Sequence, residues 1–407
     1  MTKKRLLSLC CLGLCLASLL SGCGKESVEP GKNTHELPTE FTEHIQDISD
    51  TTEEEVTEEP AEEEEYHDID LSNIDCQAYL DNLRILSEDD SSENTMYSPV
   101  SLNAALDVFS YMIEDGEQKD SIRQFIEDRN YIAYKDLSSS GKYTIVNRIW
   151  ANSNKDLNFD DNYVGPYVYE IDMSDSVAAT QTKNDYVSEM THGFIKETPT
   201  VLEDKVTTDV MNIIYFKDNW SGGDLTMTRE PYDFHNADGT TSSIYMMRAT
   251  SDYYYENDTC YVIPMTYESG MTFYAVYPKG NLEDVNIADI FDSYVFTEAD
   301  INIPEFEANS IFDVNDKAEA LGFKIDGSVP NYYNGTDNEY SITQVTRIKV
   351  DHKGTEAAGV TEIVTKDSAA PMEEKKLELT FDKPFYYLIG DVNNDVAFIG
   401  QVMNVEE

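Results

Sequence analysis

The sequence predicts an α+β fold in which helices and an extensive β-structure belong to one large domain. Apolar residues with helical spacing occur early in the folded part, at Asn82–Leu86 and Ser101–Phe109. Beyond Ser242 the chain consists mostly of short apolar runs with strand character, separated by turns. Because the two patterns are segregated along the chain, they favour an α+β class over a doubly wound parallel sheet.

The N-terminus has the three parts of a secretion signal. It begins with a short basic stretch at residues 1–5, continues with an apolar run at residues 6–20, and ends in small residues. The run is too short for a stable transmembrane helix. Its end, Leu20-Ser21-Gly22-Cys23, resembles a bacterial lipobox, in which the cysteine is diacylated and becomes the first mature residue. We therefore expect residues 1–22 to be removed and Cys23 to anchor the protein at the extracytoplasmic face of the cell membrane.

Residues 23–66 form an acidic segment with runs of glutamate and almost no aromatic side chains. Such a composition cannot bury enough apolar surface to offset the entropy lost on ordering, so the segment is predicted to be disordered. Repulsion between its charges extends it, which suits a tether that holds a domain away from the membrane. Residues 67–407 are long enough to form one domain with a large core.

The composition restricts the partners of the protein. With 79 acidic and 29 basic residues, the net charge of −50 argues against nucleic acid and anionic lipid head groups as ligands. No zinc-type spacing is present, and we expect a monomer that uses no cofactor. Cys76 and Cys260 remain in the mature domain, and their spacing leaves open whether they form a disulfide.

The remaining elements follow in order from local patterns. Pro99 stands just before the helical stretch at Ser101–Phe109, as helix starts allow. A short helical pattern at Val314–Leu321 ends at Gly322. Apolar runs with strand character lie at Val146–Ala151, Val210–Phe216, Cys260–Met265, Met271–Tyr277 and Phe385–Met403.

A series of short motifs spans about Cys76 to Val405. In chain order they are Asn94–Ser101 with Ala104–Leu106, Val146–Trp150, Tyr186-Val187 with Thr191–Lys196, Asp209–Trp220, Ile303–Phe306, Leu321–Phe323, Gly354–Thr361, and Lys383–Phe385 with Phe398–Gly400. Together they resemble the serpin family of serine-protease inhibitors. The resemblance implies about nine helices, a large central sheet A, two smaller sheets and an exposed reactive-centre loop, with no enzymatic active site.

The resemblance also assigns polar residues to the middle and top of sheet A. The family's shutter region commonly holds two serines, an asparagine and a histidine that bridge the sheet. Ser98, Ser101 and Asn212 match this pattern, whereas the histidine position is Gln344. A glutamine amide still donates and accepts hydrogen bonds, so a bridging network is expected to remain. Trp220 occupies its family position near the top of the sheet.

A second departure lies just before the reactive loop. The position two residues before the hinge glycine usually holds a glutamate, and here it is His352. That glutamate often pairs with a lysine in the family, so its loss is expected to loosen the top of sheet A.

The segment after Gly354 alternates between two kinds of residue. One set is small or apolar and comprises Thr355, Ala357, Gly359, Thr361, Ile363 and Thr365. The interleaved set holds every charge and comprises Glu356, Ala358, Val360, Glu362, Val364 and Lys366. This period of two is typical of a strand with one buried face and one solvent-exposed face. In serpins the cleaved loop inserts into sheet A as a new strand, which drags the covalently bound protease across the molecule.

The resemblance places the cleaved bond by counting from Gly354. The family spacing puts it at Ser368–Ala369, with Lys366 as the second choice because the loop is longer than in common serpins. The small residues around Ser368 favour elastase-like or subtilisin-like serine proteases as covalent partners, whereas a trypsin pocket prefers Lys or Arg.

Two other classes of function fit the sequence less well. An enzyme is disfavoured because the chain lacks a Gly-x-Ser-x-Gly elbow and a His-Glu-x-x-His motif, and Ser139-Ser140-Gly141-Lys142 has no Lys-Thr-Gly partner. A non-inhibitory serpin-like surface binding protein is the alternative, since tyrosines such as Tyr253-Tyr254-Tyr255 can form interfaces. The alternating hinge favours the inhibitor, because a carrier has no need of a small-residue face.

Replacing the lipidated cysteine tests the predicted anchor. Cys23→Ala should abolish labelling by a fatty-acid analogue and release the protein into the medium, because two acyl chains are needed for stable anchoring. Cys15→Ala, in the apolar run of the signal, should leave both unchanged. Membrane retention of the Cys23→Ala protein would contradict the prediction.

Overall fold

The computed structural model describes residues 69–127, 143–159, 164–198, 200–325, 340–355, 376–391 and 394–406. The signal peptide, Cys23 and the acidic tether lie outside these residues. The helices are α1 (Cys76–Leu86), α2 (Pro99–Ser110), α3 (Glu117–Glu127), α4 (Ser176–Met190) and α5 (Val314–Leu321). None of the helices in the described ranges is long and apolar enough to cross a membrane.

The strands outnumber the helices and occupy most of the second half of the chain. They are β1 (Thr95–Tyr97), β2 (Tyr143–Asn152), β3 (Val168–Ile171), β4 (Thr208–Phe216), β5 (Asp218–Asn219), β6 (Thr226–Met227), β7 (Tyr232–His235), β8 (Thr241–Ile244), β9 (Met246–Ser251), β10 (Tyr254–Glu256), β11 (Cys260–Thr266), β12 (Thr272–Pro278), β13 (Tyr294–Val295), β14 (Ala299–Pro304), β15 (Phe306–Asp313), β16 (Tyr340–Asp351), β17 (Gly354–Thr355), β18 (Leu377–Thr380), β19 (Phe385–Gly390) and β20 (Val396–Val402).

These strands form three sheets and a hairpin. The large sheet has the order β3-β2-β4-β16-β17-β5, and β15 pairs with β16. A second sheet has the order β1-β20-β19-β12-β11-β10-β13, a third has the order β18-β14-β9-β6, and β7 pairs with β8. The α+β class with a large sheet and smaller sheets is therefore confirmed. Five α-helices lie in the described residues, against about nine that the resemblance implies for the whole chain.

The large sheet is covered on both faces. Along β4, Val210 packs in a core cluster with residues of α2, whereas Met211 and Ile213 pack in a different cluster with residues of α4. Because successive residues of a strand point to opposite faces, α2 and α4 lie on opposite sides of the sheet. Burial on both faces explains why β4 is an uninterrupted buried strand in which apolar and polar residues do not alternate.

Helix α2 begins at the centre of this sheet. Ser98 caps it, because its hydroxyl accepts a hydrogen bond from the Ser101 amide at 3.1 Å. Pro99 follows at the first helical position, where its missing N–H is not needed. Nearly every residue of α2 is buried, so the helix is part of the core rather than a surface element.

A buried ion pair joins α4 to the sheet beneath it. Lys183 Nζ lies 2.9 Å from Asp209 Oδ2 of β4, and both side chains are almost completely buried. The ammonium also donates to the carbonyl oxygen of Thr200 at 2.6 Å. A charge this deep is stable only with such partners, so the pair ties the helix to the strand it covers.

The two cysteines of the domain are both free. Cys76 begins α1 and Cys260 begins β11, and both are buried. Burial raises the pKa of the Cys260 thiol to about 11 and that of Cys76 still further. Both therefore remain protonated near neutral pH and are unreactive core residues.

Removing the buried lysine should strongly destabilise the protein. Lys183→Met leaves Asp209 buried without its cation, which should lower the free energy of unfolding by about 3–5 kcal/mol in urea unfolding. The double variant Lys183→Met with Asp209→Leu should recover most of this loss, because it removes both charges. Lys205→Met, in the exposed pair with Glu203, is the matched control and should change stability by less than about 1 kcal/mol. An equally small effect of Lys183→Met would contradict the assignment.

Candidate functional site in the large sheet

The site lies where β4 and β16 face each other, a boundary that we call the seam. The two strands are parallel and pair over Thr208–Ile213 and Tyr340–Val345. Strand β15 covers the opposite edge of β16, from Thr343 to Val350. At the top of the seam, β17 pairs with the end of β16 and with β5, and it is antiparallel to both.

This arrangement leaves a stretch of β16 open on the seam side. Between the ladder with β4 and the ladder with β17, residues 346–349 form no ladder on that edge with any described strand. Because β5 follows β4 in the same direction, a chain continuing downward from β17 would run antiparallel to both β4 and β16. At the top of the seam, β17 already lies between β16 and β5, in the orientation that a further antiparallel strand would have.

The first residues of the predicted hinge occupy the top of the seam. A side chain at Gly354 would collide with the carbonyl oxygen of Asp218, so the close approach of β17 to β5 requires glycine. Thr355, the first of the small set, is buried. Its hydroxyl oxygen lies 2.6 Å from that of Tyr267. Burial raises the pKa of the Tyr267 phenol, which keeps the hydroxyl protonated and able to form this bond.

An aromatic stack supports this contact from behind. The rings of Trp220 and Tyr267 are stacked with centroids 4.5 Å apart and an interplanar angle of 10°. The indole N–H of Trp220 donates to the carbonyl oxygen of Asp351 at 2.9 Å, and its backbone N–H donates to that of Lys353 at 3.1 Å. Trp220 therefore holds the turn between β16 and β17, and it does so with both its side chain and its backbone.

A polar network crosses the sheet at the lower part of the seam. The Ser98 amide donates to Gln344 Oε1 at 3.1 Å, and Gln344 Nε2 donates back to the Ser98 carbonyl oxygen at 3.0 Å. The Gln344 amide thus uses its acceptor and a donor to join β16 to the start of α2. Both residues are buried, so these bonds also satisfy polar groups that would otherwise be costly.

The network continues onto β4 and β2. Ser101 donates its hydroxyl to Asn212 Oδ1, and Asn212 Nδ2 donates to Asn147 Oδ1 at 2.7 Å. Asn212 also stands directly opposite Gln344 in the parallel ladder. The structure therefore brings together the four residues assigned to the shutter, which are Ser98, Ser101, Asn212 and Gln344, and adds Asn147 to them.

The turn before the hinge has a link that the sequence did not anticipate. His352 Nδ1 lies 2.6 Å from Glu305 Oε1, and the His352 amide donates to the same oxygen at 3.0 Å. His352, where the resemblance led to the expectation of a looser sheet, is therefore bonded to Glu305 through both its side chain and its amide. Glu305 stands in the short link between β14 and β15.

The rest of the loop lies outside the described residues. This applies to the hinge residues Glu356, Ala357, Ala358, Gly359, Val360 and Thr361, and to Lys366, Ser368 and Ala369. The chain is described again from Lys376, whose ammonium pairs with Glu298 and with Asp300. Segment 356–375 therefore joins the top of the large sheet to β18 in a different sheet.

Sequence reasoning missed Tyr267, Asn147 and Glu305 as members of the site. A signal was present for Asn147, because an amide inside an apolar strand must find a buried partner. Tyr267 and Glu305 offer no local signal, since each meets a partner that is distant in the sequence.

Comparison with known proteins agrees with this geometry. The family model described as "Serpin (serine protease inhibitor)" matches residues 77–405. An uncharacterized serpin-like protein of Thermococcus kodakarensis is 26% identical over 355 residues, which cover 78% of this chain and 82% of that protein. The corticosteroid-binding globulin of Bos taurus is 28% identical over 252 residues, which cover 57% of this chain and 61% of that protein.

Solved structures show the same fold. The native state of the thermophilic serpin tengpin matches with a TM-score of 0.67 and 18% identity, over 86% of this chain and 96% of that chain. The match of the family model over most of the chain, together with the large sheet, shows that this chain belongs to the serpin family.

Proposed function

We propose that this chain is a suicide-substrate inhibitor of serine proteases that acts at the outer surface of a bacterial cell. The observation that supports it most is β17, because the start of the reactive loop already pairs with both β16 and β5 at the top of the seam. In this proposal the protein acts as a monomer and is held at the membrane by the lipid on Cys23.

The chemistry begins on the protease. Its catalytic serine oxygen attacks the carbonyl carbon of Ser368, an ester to the serpin forms, and the amide bond to Ala369 breaks with a proton passing to the leaving amine. The cleaved loop is then free at one end. If the loop inserts before water hydrolyses the ester, the attached protease is dragged across the molecule. Its catalytic site is then distorted, and the ester is not hydrolysed.

The free energy for insertion comes from the seam. An inserted strand replaces one parallel pairing by two antiparallel ones, which are slightly more stable per residue, and buries the small face of the loop. The buried Thr355 beside Tyr267 indicates what the seam accepts, which is a small side chain with its polar group bonded. A charge at an inward position would be buried without a partner.

A non-inhibitory serpin-like surface binding protein is the second candidate. Corticosteroid-binding globulin, a relative whose name states that it binds corticosteroids, is the observation that favours it. The alternation from Thr355 to Lys366 argues for the inhibitor, because a binding role places no demand on the size of every second loop residue.

A covalent complex with a protease should decide between these candidates. The full chain should form a complex with an elastase-like or subtilisin-like protease that survives boiling on a denaturing gel. A protease with its catalytic serine changed to alanine should form none. The released fragment should begin at Ala369 by mass spectrometry, whereas a start at Asp367 would move the bond to Lys366. Absence of any complex across such a panel would favour the binding protein.

A charge at the first inward position should convert the inhibitor into a substrate. Thr355→Arg should abolish complex formation while cleavage of the loop continues, because the guanidinium cannot enter the packed seam beside Tyr267. Glu356→Arg is the matched control, because Glu356 belongs to the interleaved set that holds the charges. The Glu356→Arg protein should still trap protease. Full trapping by the Thr355→Arg protein would contradict the insertion mechanism.

A further inference from the structure

A row of exposed aromatic side chains lies near the place where the reactive loop returns to the body of the protein. We call Tyr253, Tyr294 and Phe296 the aromatic strip. Phe296 is 81% exposed and Tyr294 is 50% exposed, whereas Tyr253 is half-buried. Large apolar side chains that are exposed together in one place typically mark a surface for interaction with another molecule.

The strip is a fixed surface, because its rings pack on one another and on the core. The Tyr294 ring stacks on Tyr253 with centroids 4.7 Å apart and on Phe296 with centroids 6.4 Å apart. Behind these rings, Tyr255 is buried and contacts Tyr253 and Tyr294 edge-on. A partner would therefore meet rings that are already ordered, so that little side-chain entropy is lost on binding.

The strip emerges from the same end of the third sheet as the reactive loop. At that end Ala299 of β14 stands between Ser251, the last residue of β9, and Leu377, the first residue of β18. Tyr253 follows the end of β9 by two residues, Phe296 precedes β14 by three, and the reactive loop leads into β18. The three segments therefore converge at one place on the surface.

Glu298 links the strip directly to the returning loop. Its carbonyl oxygen accepts a hydrogen bond from the Leu377 amide at 3.0 Å, and its carboxylate pairs with Lys376. Phe296 stands two residues before Glu298, which limits the distance between their Cα atoms to about 7 Å. The strip therefore borders the part of the loop that follows the proposed cleaved bond.

A protease that holds this bond has the strip within its reach. Lys376 follows Ala369 by seven residues, so the connecting chain spans at most about 25 Å. A globular domain of roughly 250 residues has a radius of gyration of about 18 Å, so its body is wider than this chain is long. The body of the protease can thus cover the strip while its active site holds the loop.

The chain beside the strip is acidic. Asp252 and Asp292 are exposed, and neither forms an ion pair with another of the described residues. Glu298 and Asp300 share the single ammonium group of Lys376. Aromatic side chains with a polar rim are the usual composition of an interface hot spot. The surface that complements this one is apolar at its centre and basic around it.

We infer that the aromatic strip is a second contact surface for the target protease, which binds it through an apolar patch with a basic rim. The inference rests on the proposed function, because it requires a protease at the loop. Contact with the strip stabilises the complex that precedes cleavage. The loop sequence then determines which bond is attacked, whereas the strip selects among proteases that accept the same small residues at Ser368.

The kinetics of loop cleavage test the strip independently of loop insertion. The Thr355→Arg protein is the parent, because it is expected to be cleaved without trapping, and elastase-like and subtilisin-like proteases are compared on it. For the protease with the highest kcat/KM, Phe296→Ala in this parent should raise KM about five- to twenty-fold and leave kcat unchanged, since it removes binding that is equal in the ground and transition states. Tyr294→Ala should act in the same direction.

Controls separate the strip from a general effect on the fold or the loop. Tyr245→Ala removes an aromatic side chain that is 56% exposed at the opposite end of β9, and it should leave KM unchanged. The double variant Asp252→Lys with Asp292→Lys should raise KM and reduce its dependence on salt. A peptide of residues 362–374 contains the bond without the strip and should have a higher KM than the parent. Thermal unfolding midpoints of the variants should match that of the parent, because the replaced side chains are exposed.

The outcomes distinguish the strip from the proposed function. Unchanged KM values in both the Phe296→Ala and the Tyr294→Ala proteins overturn the strip, even where the wild-type chain traps the protease. A raised KM in these variants, with no covalent complex in the wild-type chain, supports the strip and overturns the inhibitor. An equal rise in Tyr245→Ala also overturns the strip.

Two further outcomes concern other occupants of this surface. Self-association of the chain that is lost in Phe296→Ala, with KM unchanged, would assign the strip to a second copy and overturn the contact with the protease. Absence of loop cleavage by every protease of the panel would overturn both the strip and the inhibitor.

Discussion

The parallel ladder between β4 and β16 is the constraint on which the rest of the structure depends. It covers only part of the two strands, and β17 already occupies the top of the gap in the orientation that an additional strand needs. Under the proposed insertion mechanism, an added antiparallel strand would make the sheet more stable, and adding it requires the seam to part. In that proposal the contacts around the seam keep the loop from inserting before it is cleaved.

Two features act on the strands of the seam, one on each face of the sheet. On one face, the bonds of Gln344 to Ser98 join β16 to α2. On the other face, α4 covers β4 and is fixed to it by the buried pair of Lys183 and Asp209. All of these contacts are between polar groups that are costly to bury in an apolar interior without partners, so they are specific in geometry.

Local patterns predicted the elements that have a clear apolar period. Helices α1, α2 and α5 and the strands β2, β4, β11, β12, β19 and β20 lie where the spacing of apolar residues indicated, whereas α3 was not predicted. Helix α4 was not predicted, because only Ala179, Lys183 and Val187 are buried along it and one of these is a lysine. A helix that contacts the core through so few residues has no strong apolar stripe, so its place depends on the sheet it covers.

The sequence by itself determined the α+β class, the alternation of the hinge and the residue types of the shutter, since each is a matter of local spacing or of motif order. Only the tertiary structure decided that Thr355 meets Tyr267, 88 residues away, and that His352 meets Glu305, 47 residues away. The physical reason is that partners across a sheet are set by the register of strands that are distant in the chain, and a shift of one residue would exchange the faces of every side chain.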